Sequence, residues 1–352
     1  MTRVFTDGAE FGDLLFWTSP GSLTVSATSR SGVYSYYYSY GIKDIPDVSE
    51  FYLRIGVRDS SIGESASNTC FIPIVRNGTT THAQLYFSNV DSKMHLDAGG
   101  IANVAMSSTA YISNTWYLIE MYLKIANSPD GRCIVKIDGI IEIDFTGDTQ
   151  NGATTTADNL LIGAAGYNAI WFDDLALNDT NGSVDNSWCG DGHIELLTPN
   201  ANGDTNDWDG SDGDSVDNYL LVDERPHDTD TTYVKTSVTE QDMYNVSDFV
   251  ATGKIVTRIY AECRAKDNAA GAGAIKIGYK HGGTVYLCTD ARILASSYMR
   301  VVGDDALSDP GDSTIWSEAD LDSIQFVVEC SSSSSSTSSS STTTSSSSTE
   351  IP

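Results

Sequence analysis

The sequence is poor in basic residues. Its 352 residues include 20 Lys and Arg against 48 Asp and Glu, which gives a formal net charge of −28. A field of that sign repels phosphate backbones and anionic lipid, so we expect neither a nucleic-acid partner nor a membrane partner. The sequence also lacks a run of 18 apolar residues, which argues against a hydrophobic transmembrane helix.

Signals for export and for metal binding by cysteine or histidine are missing as well. No secretory h-region follows Met1, so we expect assembly in a host cytoplasm. The six cysteines contain no CxxC pair, and we predict reduced, buried thiols. The five histidines show no ligand spacing, so we expect no zinc site.

What the sequence does contain is period-2 alternation. Phe51, Leu53, Ile55 and Val57 alternate with more polar neighbours, and the segment 117–125 repeats the pattern. This period predicts strands with one buried face. Turn residues recur every 8 to 15 positions without a long helical period. The fold class is therefore predicted to be all-β.

The strongest local signal is a hairpin around Asp138-Gly139. A two-residue type I′ turn would set Val135 opposite Glu142, whereas a three-residue loop with a G1 bulge would set Val135 opposite Ile141. The apolar pattern favours the second register. In this second register Arg132 is expected to face Asp144.

We predict two β-sandwich, jelly-roll-like domains at 1–185 and 186–330, followed by a disordered Ser/Thr-rich tail at 331–352. The boundary rests on a shift to Asn, Asp, Gly and Ser after residue 186. A short helix is expected before the last strand, with Ser317 as N-cap and Trp316 packing on Leu321.

Two clusters are candidate binding sites. An acidic loop supplies hard oxygen ligands between glycine turns and predicts a calcium site, although it does not match the EF-hand order; its candidate ligands are Asp207, Asp209, Asp212 and Asp214. The alternative is a solvated turn cluster. A second pattern places alternate tyrosines on one strand face, as a subunit interface, a glycan platform or a half-buried sheet face: Tyr34, Tyr36, Tyr38 and Tyr40.

Catalytic motifs are weak. Glu142 and Asp144 begin a pattern used by jelly-roll glycosidases, but Thr146 and Gly147 occupy the positions of the second Glu. Asp173 and Asp174 are adjacent, and successive strand residues point to opposite faces. The sequence therefore predicts a protein that is not an enzyme.

Residues 1 to 180 resemble the laminin-G/concanavalin-A-like jelly roll. The similarity rests on Asn114–Glu120, the hairpin Val135–Gly139 and the closing strand Ile170–Asp179. It implies two curved antiparallel sheets and glycan or protein binding, without catalysis.

The second domain resembles a module that follows such jelly rolls in virion structural proteins of tailed bacteriophages. The residues that carry this similarity are Leu197–Asn200, Trp208, Gly210, Asn218-Tyr219, Val222–Glu224, Pro226 and Asp230–Val234. The resemblance implies a virion location but no role for a particular residue.

The resulting expectation is a non-enzymatic bacteriophage protein on the virion surface, as a capsid decoration or a fibre-like adhesin. Its expected partners are the major capsid protein or other virion proteins, a cell-surface glycan, and further copies of itself in a homo-oligomer. The alternatives are a carbohydrate-binding module of a secreted system and a jelly-roll glycosidase.

Overall fold

The structure is a computed structural model, and it describes residues 3–38, 40–63, 70–164, 169–249, 255–268, 273–332 and 349–351. The chain divides into two compact units, Met1–Leu196 and Leu197–Pro352. This division falls after the predicted boundary at 185/186, because residues such as Cys189 and Ile194 still bond to strands of the first unit.

Unit 1 is built from antiparallel strands. They are β1 (Arg3–Asp7), β2 (Thr24–Ser26), β3 (Ser35–Tyr37), β4 (Tyr40–Val48), β5 (Glu50–Asp59), β6 (Cys70–Asn77), β7 (Thr80–Phe87), β8 (Lys93–Ala98), β9 (Ile101–Ala110), β10 (Trp116–Lys124), β11 (Gly131–Ile137), β12 (Ile140–Gly147), β13 (Ala157–Ala164) and β14 (Ile170–Asp179).

The described strands of unit 1 form two sheets. Sheet 1 has the order β12-β11-β10-β5-β14-β3-β2, with β1 also paired to β14, and sheet 2 has the order β4-β13-β6-β7-β8-β9. Their apolar faces form one buried cluster that includes Phe51, Ile119, Leu85 and Leu96. The all-β, sandwich-like fold class predicted from the alternation is confirmed.

Pairing in sheet 1 follows the predicted alternation. Strands β5 and β10 pair antiparallel, with Leu53 opposite Met121 and Ile55 opposite Ile119. All four side chains are buried. A one-residue slip would expose this whole apolar set, so burial fixes the register.

The register predicted for the hairpin is wrong. Asp138 and Gly139 both have positive φ, 50° and 81°, and Ile137 pairs with Ile140, so the loop is the two-residue type I′ turn. A bulge between Val135 and Lys136 then sets Val135 opposite Ile143. The bulge buries Ile143 beside Val135 without the longer loop, whereas Ile140 and Ile141 are exposed. In the ladder Arg132 faces Thr146 instead of Asp144, but its side chain still reaches Asp144 at 3.1 Å.

Unit 2 contains shorter strands and two short helices. They are β15 (Pro199–Asn206), β16 (Asp209–Gly210), the 3-10 helix η1 (Asn218–Leu221), β17 (Val234–Thr236), β18 (Gln241–Val246), β19 (Glu262–Asp267), β20 (Gly273–His281), β21 (Thr284–Leu287), β22 (Arg292–Ile293), β23 (Met299–Val302), α1 (Glu318–Leu321), β24 (Gln325–Ser332) and β25 (Thr349–Ile351).

The described strands of unit 2 also form two sheets. Sheet 3 has the order β15-β18-β24-β20-β21, with β22 paired to β20, and sheet 4 has the order β16-β17-β25-β19-β23. One apolar cluster surrounds Trp208 and Tyr244, and a second contains Trp316 and Leu321.

Part of the predicted tail contributes to these sheets. Strand β24 continues through Ser332, and β25 pairs with β17 and β19. The rest of the Ser/Thr run, residues 333–348, lies outside the described residues. Across the part of the chain that is described, no helix has the length and apolar character needed to cross a membrane.

Candidate functional site

A connected group of polar side chains lies on the outward face of sheet 2. In β7 and β8 the inward positions, such as Leu85 and Leu96, are fully buried, while the alternate positions carry polar residues that are only partly covered. Asn103 in β9 is exposed. We call this group the Tyr86 cluster, and its members are Gln84, Tyr86, Asp91, His95, Asp97 and Asn103.

The centre of the Tyr86 cluster is a cross-strand pair. Tyr86 and His95 are directly opposite in the β7–β8 ladder, and their ring centroids are 5.4 Å apart. Both reach Asn103: the Tyr86 hydroxyl donates to its Oδ1 at 2.6 Å, and His95 Nδ1 lies 2.6 Å from the same oxygen. Asn103 has a φ of 53°, in an irregular part of the β8–β9 ladder, which turns its side chain towards the pair.

Two carboxylates hold this arrangement. Asp91 lies against His95 Nε2, with both carboxylate oxygens at 3.0 Å. Asp97 accepts from the Gln84 amide at 2.7 Å and from the Asn103 backbone at 2.7 Å. These hydrogen bonds to Asp91 and Asp97 fix the orientation of the neighbouring side chains. A general acid or base must be held in position in this way.

The pKa shifts separate the roles of the members. Burial, and then the charge of Asp97, raises the pKa of Tyr86 to about 12, so Tyr86 is a protonated donor at neutral pH. Burial tends to raise the pKa of Asp91, but hydrogen bonds from Ser88, Lys93 and His95 outweigh it and hold this pKa below its usual value. An ionised carboxylate, an imidazole and a protonated phenol thus lie in sequence on one face. This arrangement can donate and accept protons.

Phe71 extends the face beside Tyr86. Their rings meet edge to face with centroids 5.8 Å apart. Exposed aromatic faces next to hydrogen-bonding groups suit the alternating apolar and hydroxyl surfaces of a sugar ring.

The predicted tyrosine row is interrupted. Tyr36 is 1% exposed and donates to Asp7 at 2.6 Å, whereas Tyr40 is 44% exposed and begins another strand in the other sheet. Tyr34 packs against the core and Tyr38 has a φ of 69°. The four side chains do not share one face. Binding by the exposed tyrosine stays a prediction.

The acidic loop is held by its own backbone. Asp212 and Asp214 accept from amides two residues ahead, at 3.4 Å and 2.9 Å, and Asp209 is exposed in β16. Asp207 precedes Trp208, which is fully buried. Calcium binding by these residues stays a prediction.

The glycosidase-like carboxylates have other partners. Glu142 accepts from Ser108 and Thr109, and Asp144 pairs with Arg132. Burial opposes ionisation of Glu142, but these hydrogen bonds outweigh it and lower its pKa below the usual value. Glu142 is therefore unsuited to act as a general acid at neutral pH.

No protein-family profile and no curated protein sequence matches this chain. Similar solved structures include an endo-β-1,4-glucuronan lyase from the fungus Trichoderma reesei, at 13% identity and a TM-score of 0.39, covering 51% of this chain and 96% of the lyase. Alginate lyase Aly36B is similar at 16% identity and a TM-score of 0.36, covering 52% and 94%. A carbohydrate esterase from the Shiga toxin-encoding bacteriophage phi24B follows at 14% and 0.38, covering 50% and 98%.

These proteins define a class of fold. They are β-rich, jelly-roll-like proteins that act on carbohydrates, and the likeness to this chain concerns the fold alone. The named activities belong to those proteins and are not assigned to this chain by the likeness.

The prediction that the protein is not an enzyme is contradicted by the similar solved structures, which are mostly glycan-processing enzymes. This likeness is one of fold and does not assign an activity to this chain.

Proposed function

We propose that this protein acts on a polysaccharide and that the Tyr86 cluster is its reactive site. The observation that carries the proposal is the meeting of the Tyr86 hydroxyl and the His95 imidazole at Asn103, on an outward sheet face. In this proposal Tyr86 donates a proton to the leaving oxygen of the sugar chain. As the glycosidic C–O bond breaks, His95, oriented by Asp91, accepts the proton that the reaction releases, which comes from the attacking water in hydrolysis or from a sugar C–H in elimination.

The face around the pair suits a sugar chain. Phe71 offers an aromatic surface, while Gln84 and Asn103 offer amide groups for sugar hydroxyls. Tyr86, His95 and Asn103 all lie on strands, so the distances between them are fixed before the glycan arrives.

The test is a panel of neutral and uronate-containing polysaccharides, followed by new reducing ends and by the absorbance of unsaturated sugar products. Tyr86→Phe and His95→Gln should each lower the rate on the responsive polysaccharide by about 100-fold or more. Tyr122→Phe and His193→Gln, which change the same residue types elsewhere in unit 1, should leave the rate unchanged.

A binding measurement distinguishes a site that binds glycan without cleaving it from the absence of a glycan site. Retarded migration in gels that contain the polysaccharide, lost in both cluster variants, would support a glycan site even where no bond is cleaved. Equal rates and equal binding for wild type, Tyr86→Phe and His95→Gln would refute the site.

We also propose that the protein is carried on the surface of a tailed-bacteriophage virion, attached to the major capsid protein or another virion protein. Support comes from the resemblance of residues 197–234 to a module of such virions. Mass spectrometry of purified particles should find the protein at a fixed copy number, and its absence from washed particles would contradict the proposal. Light scattering of the purified protein tests the expected homo-oligomer.

A further inference from the structure

A second group of potential ligands lies in unit 2, in a place that sequence spacing does not reveal. His281 ends β20, Asp309 lies in the loop after β23, and Asp320 belongs to α1. One ligand atom from each lies within 4.8 Å of the other two. Within the described residues, no other group of three such side chains meets this distance.

The three side chains are held in place by the fold. Asp309 Oδ2 lies 3.1 Å from His281 Nε2, and its other oxygen accepts from the Gly311 backbone at 2.7 Å. The Trp316 ring contacts His281 edge to face at 5.6 Å. Asp320 is fixed by the capping box with Ser317, which uses Oδ2. None of the three depends on a long flexible side chain.

The capping box engages only one oxygen of Asp320. Its Oδ1 has no hydrogen-bond partner among the described residues. His281 and Asp309 are largely buried, with side-chain exposures of 11% and 7%. The two carboxylates lie close to each other and to a single imidazole. Together they carry more negative charge than one histidine can balance. The nearby Lys280 is paired with Asp204.

A small cleft of about 120 Å³ reaches His281, lined also by Ser323, Gln325 and Gly282. Of the three proposed ligands, His281 lines this cleft, whereas Asp309 and Asp320 do not. Three protein ligands leave one coordination position of a four-coordinate metal open. That is the arrangement of zinc sites in which the fourth ligand is water or a substrate.

We propose that His281, Asp309 and Asp320 bind a first-row divalent cation, with Zn²⁺ as the best match. An imidazole nitrogen with two carboxylate oxygens suits a borderline metal, whereas calcium and magnesium prefer oxygen ligands throughout. The cation replaces the hydrogen bond between His281 and Asp309 and neutralises the two carboxylates.

The experiment uses the untagged full-length protein after treatment with a chelator and dialysis. Zn²⁺ is titrated against a chromophoric competitor, and thermal unfolding is followed with and without Zn²⁺. The wild type should bind one Zn²⁺ and melt at a higher temperature when it is loaded. His281→Gln and Asp309→Asn should each weaken binding by about tenfold or more and abolish the zinc-dependent shift in melting temperature.

Matched controls identify the site. His227→Gln changes another histidine of unit 2, and Asp212→Asn changes the acidic loop; both should keep zinc binding. Substitution with Co²⁺ should give visible absorption bands of nitrogen and oxygen ligation that disappear in His281→Gln. Should that variant fail to fold, Asp309→Asn gives the same readouts. Zinc binding that is absent, or that is unchanged in both ligand variants, overturns the proposal.

Discussion

At the scale of single residues, the adjacent acids Asp173 and Asp174 show how backbone geometry changes an inference from sequence. Successive strand residues are expected to point apart, but Asp174 has a φ of 51° within an irregular part of the β14–β5 ladder. Both acids are fully buried and both bind the segment Arg30–Ser31. These hydrogen bonds hold the segment against β14. Arg30 Nη1 lies 2.7 Å from Asp174 Oδ2 and balances its charge.

This pair predicts a pH dependence of stability. Burial, and then the charge of Asp174, raises the pKa of Asp173 to about 8. Because the unfolded value is about 4, the native state holds a proton that the unfolded state releases between about pH 4 and pH 8. The free energy of unfolding should therefore fall as pH rises through this window, and melting curves from about pH 6 to pH 8 should show it.

The variant Asp173→Asn carries no titrating carboxyl at this position, so its melting temperature should fall less over the same range. Asp47→Asn, which changes an exposed acid of β4, is the matched control and should retain the wild-type slope. Identical slopes for all three proteins would show that Asp173 is ionised throughout.

At the scale of elements, the alternation of apolar residues was sufficient to predict strands and their buried faces. Segments 51–58 and 117–125 pair in the structure with their apolar sets inward. The short helix is also confirmed, with Ser317 as N-cap and with Trp316 and Leu321 in one apolar cluster. Local patterns predicted these elements because the physical constraint itself is local.

The β11–β12 hairpin marks where local reasoning fails. The Asp138-Gly139 turn favours one register and the apolar pattern favours another. A bulge accommodates both, and no residue type at its position predicts it. The type I′ turn requires positive φ at both central positions, which Gly139 adopts without strain.

Gly139→Ala should therefore destabilise the protein by about 1–2 kcal/mol, the cost of the left-handed conformation for a residue with a Cβ. A Cβ at this position would meet no atom within 4 Å, so the cost comes from the backbone alone. Urea unfolding measures it. In the control Asp138→Asn, asparagine tolerates positive φ and keeps an acceptor for the Leu118 amide, so stability should change little. An unchanged free energy of unfolding for Gly139→Ala would mean that the turn relaxes to another loop type.

The Tyr86 cluster was not predicted, because its members come from three strands and from the turn between β7 and β8. Pairing of Tyr86 with His95 depends on the β7–β8 register, and Asn103 joins them through its positive φ. A partial signal was available: Gln84 and Tyr86, and then His95 and Asp97, are polar residues at alternate positions of two predicted strands. Alternation gives the face of a residue but not its cross-strand neighbour.

At the scale of the whole molecule, negative charge is the dominant property. With 48 acidic and 20 basic residues, the acids outnumber the basic residues by 28. Individual ion pairs are well formed, such as Glu262 with Arg264 and Arg300, both at 2.6 Å. The sum of the remaining charges nevertheless opposes the compact state.

Salt should therefore stabilise this protein. Raising NaCl from about 10 mM to about 0.1 M shortens the screening length from about 30 Å to about 10 Å, which weakens repulsion between carboxylates on different strands more than contacts within buried ion pairs. Melting temperature, measured on chelator-treated protein so that trace metals do not contribute, should rise by several degrees and then level off. KCl should give the same curve, because screening depends on ionic strength and not on the identity of the ion. A fall in melting temperature over the same range would mean that ion pairs such as Arg30–Asp174 contribute more to stability than the net charge removes.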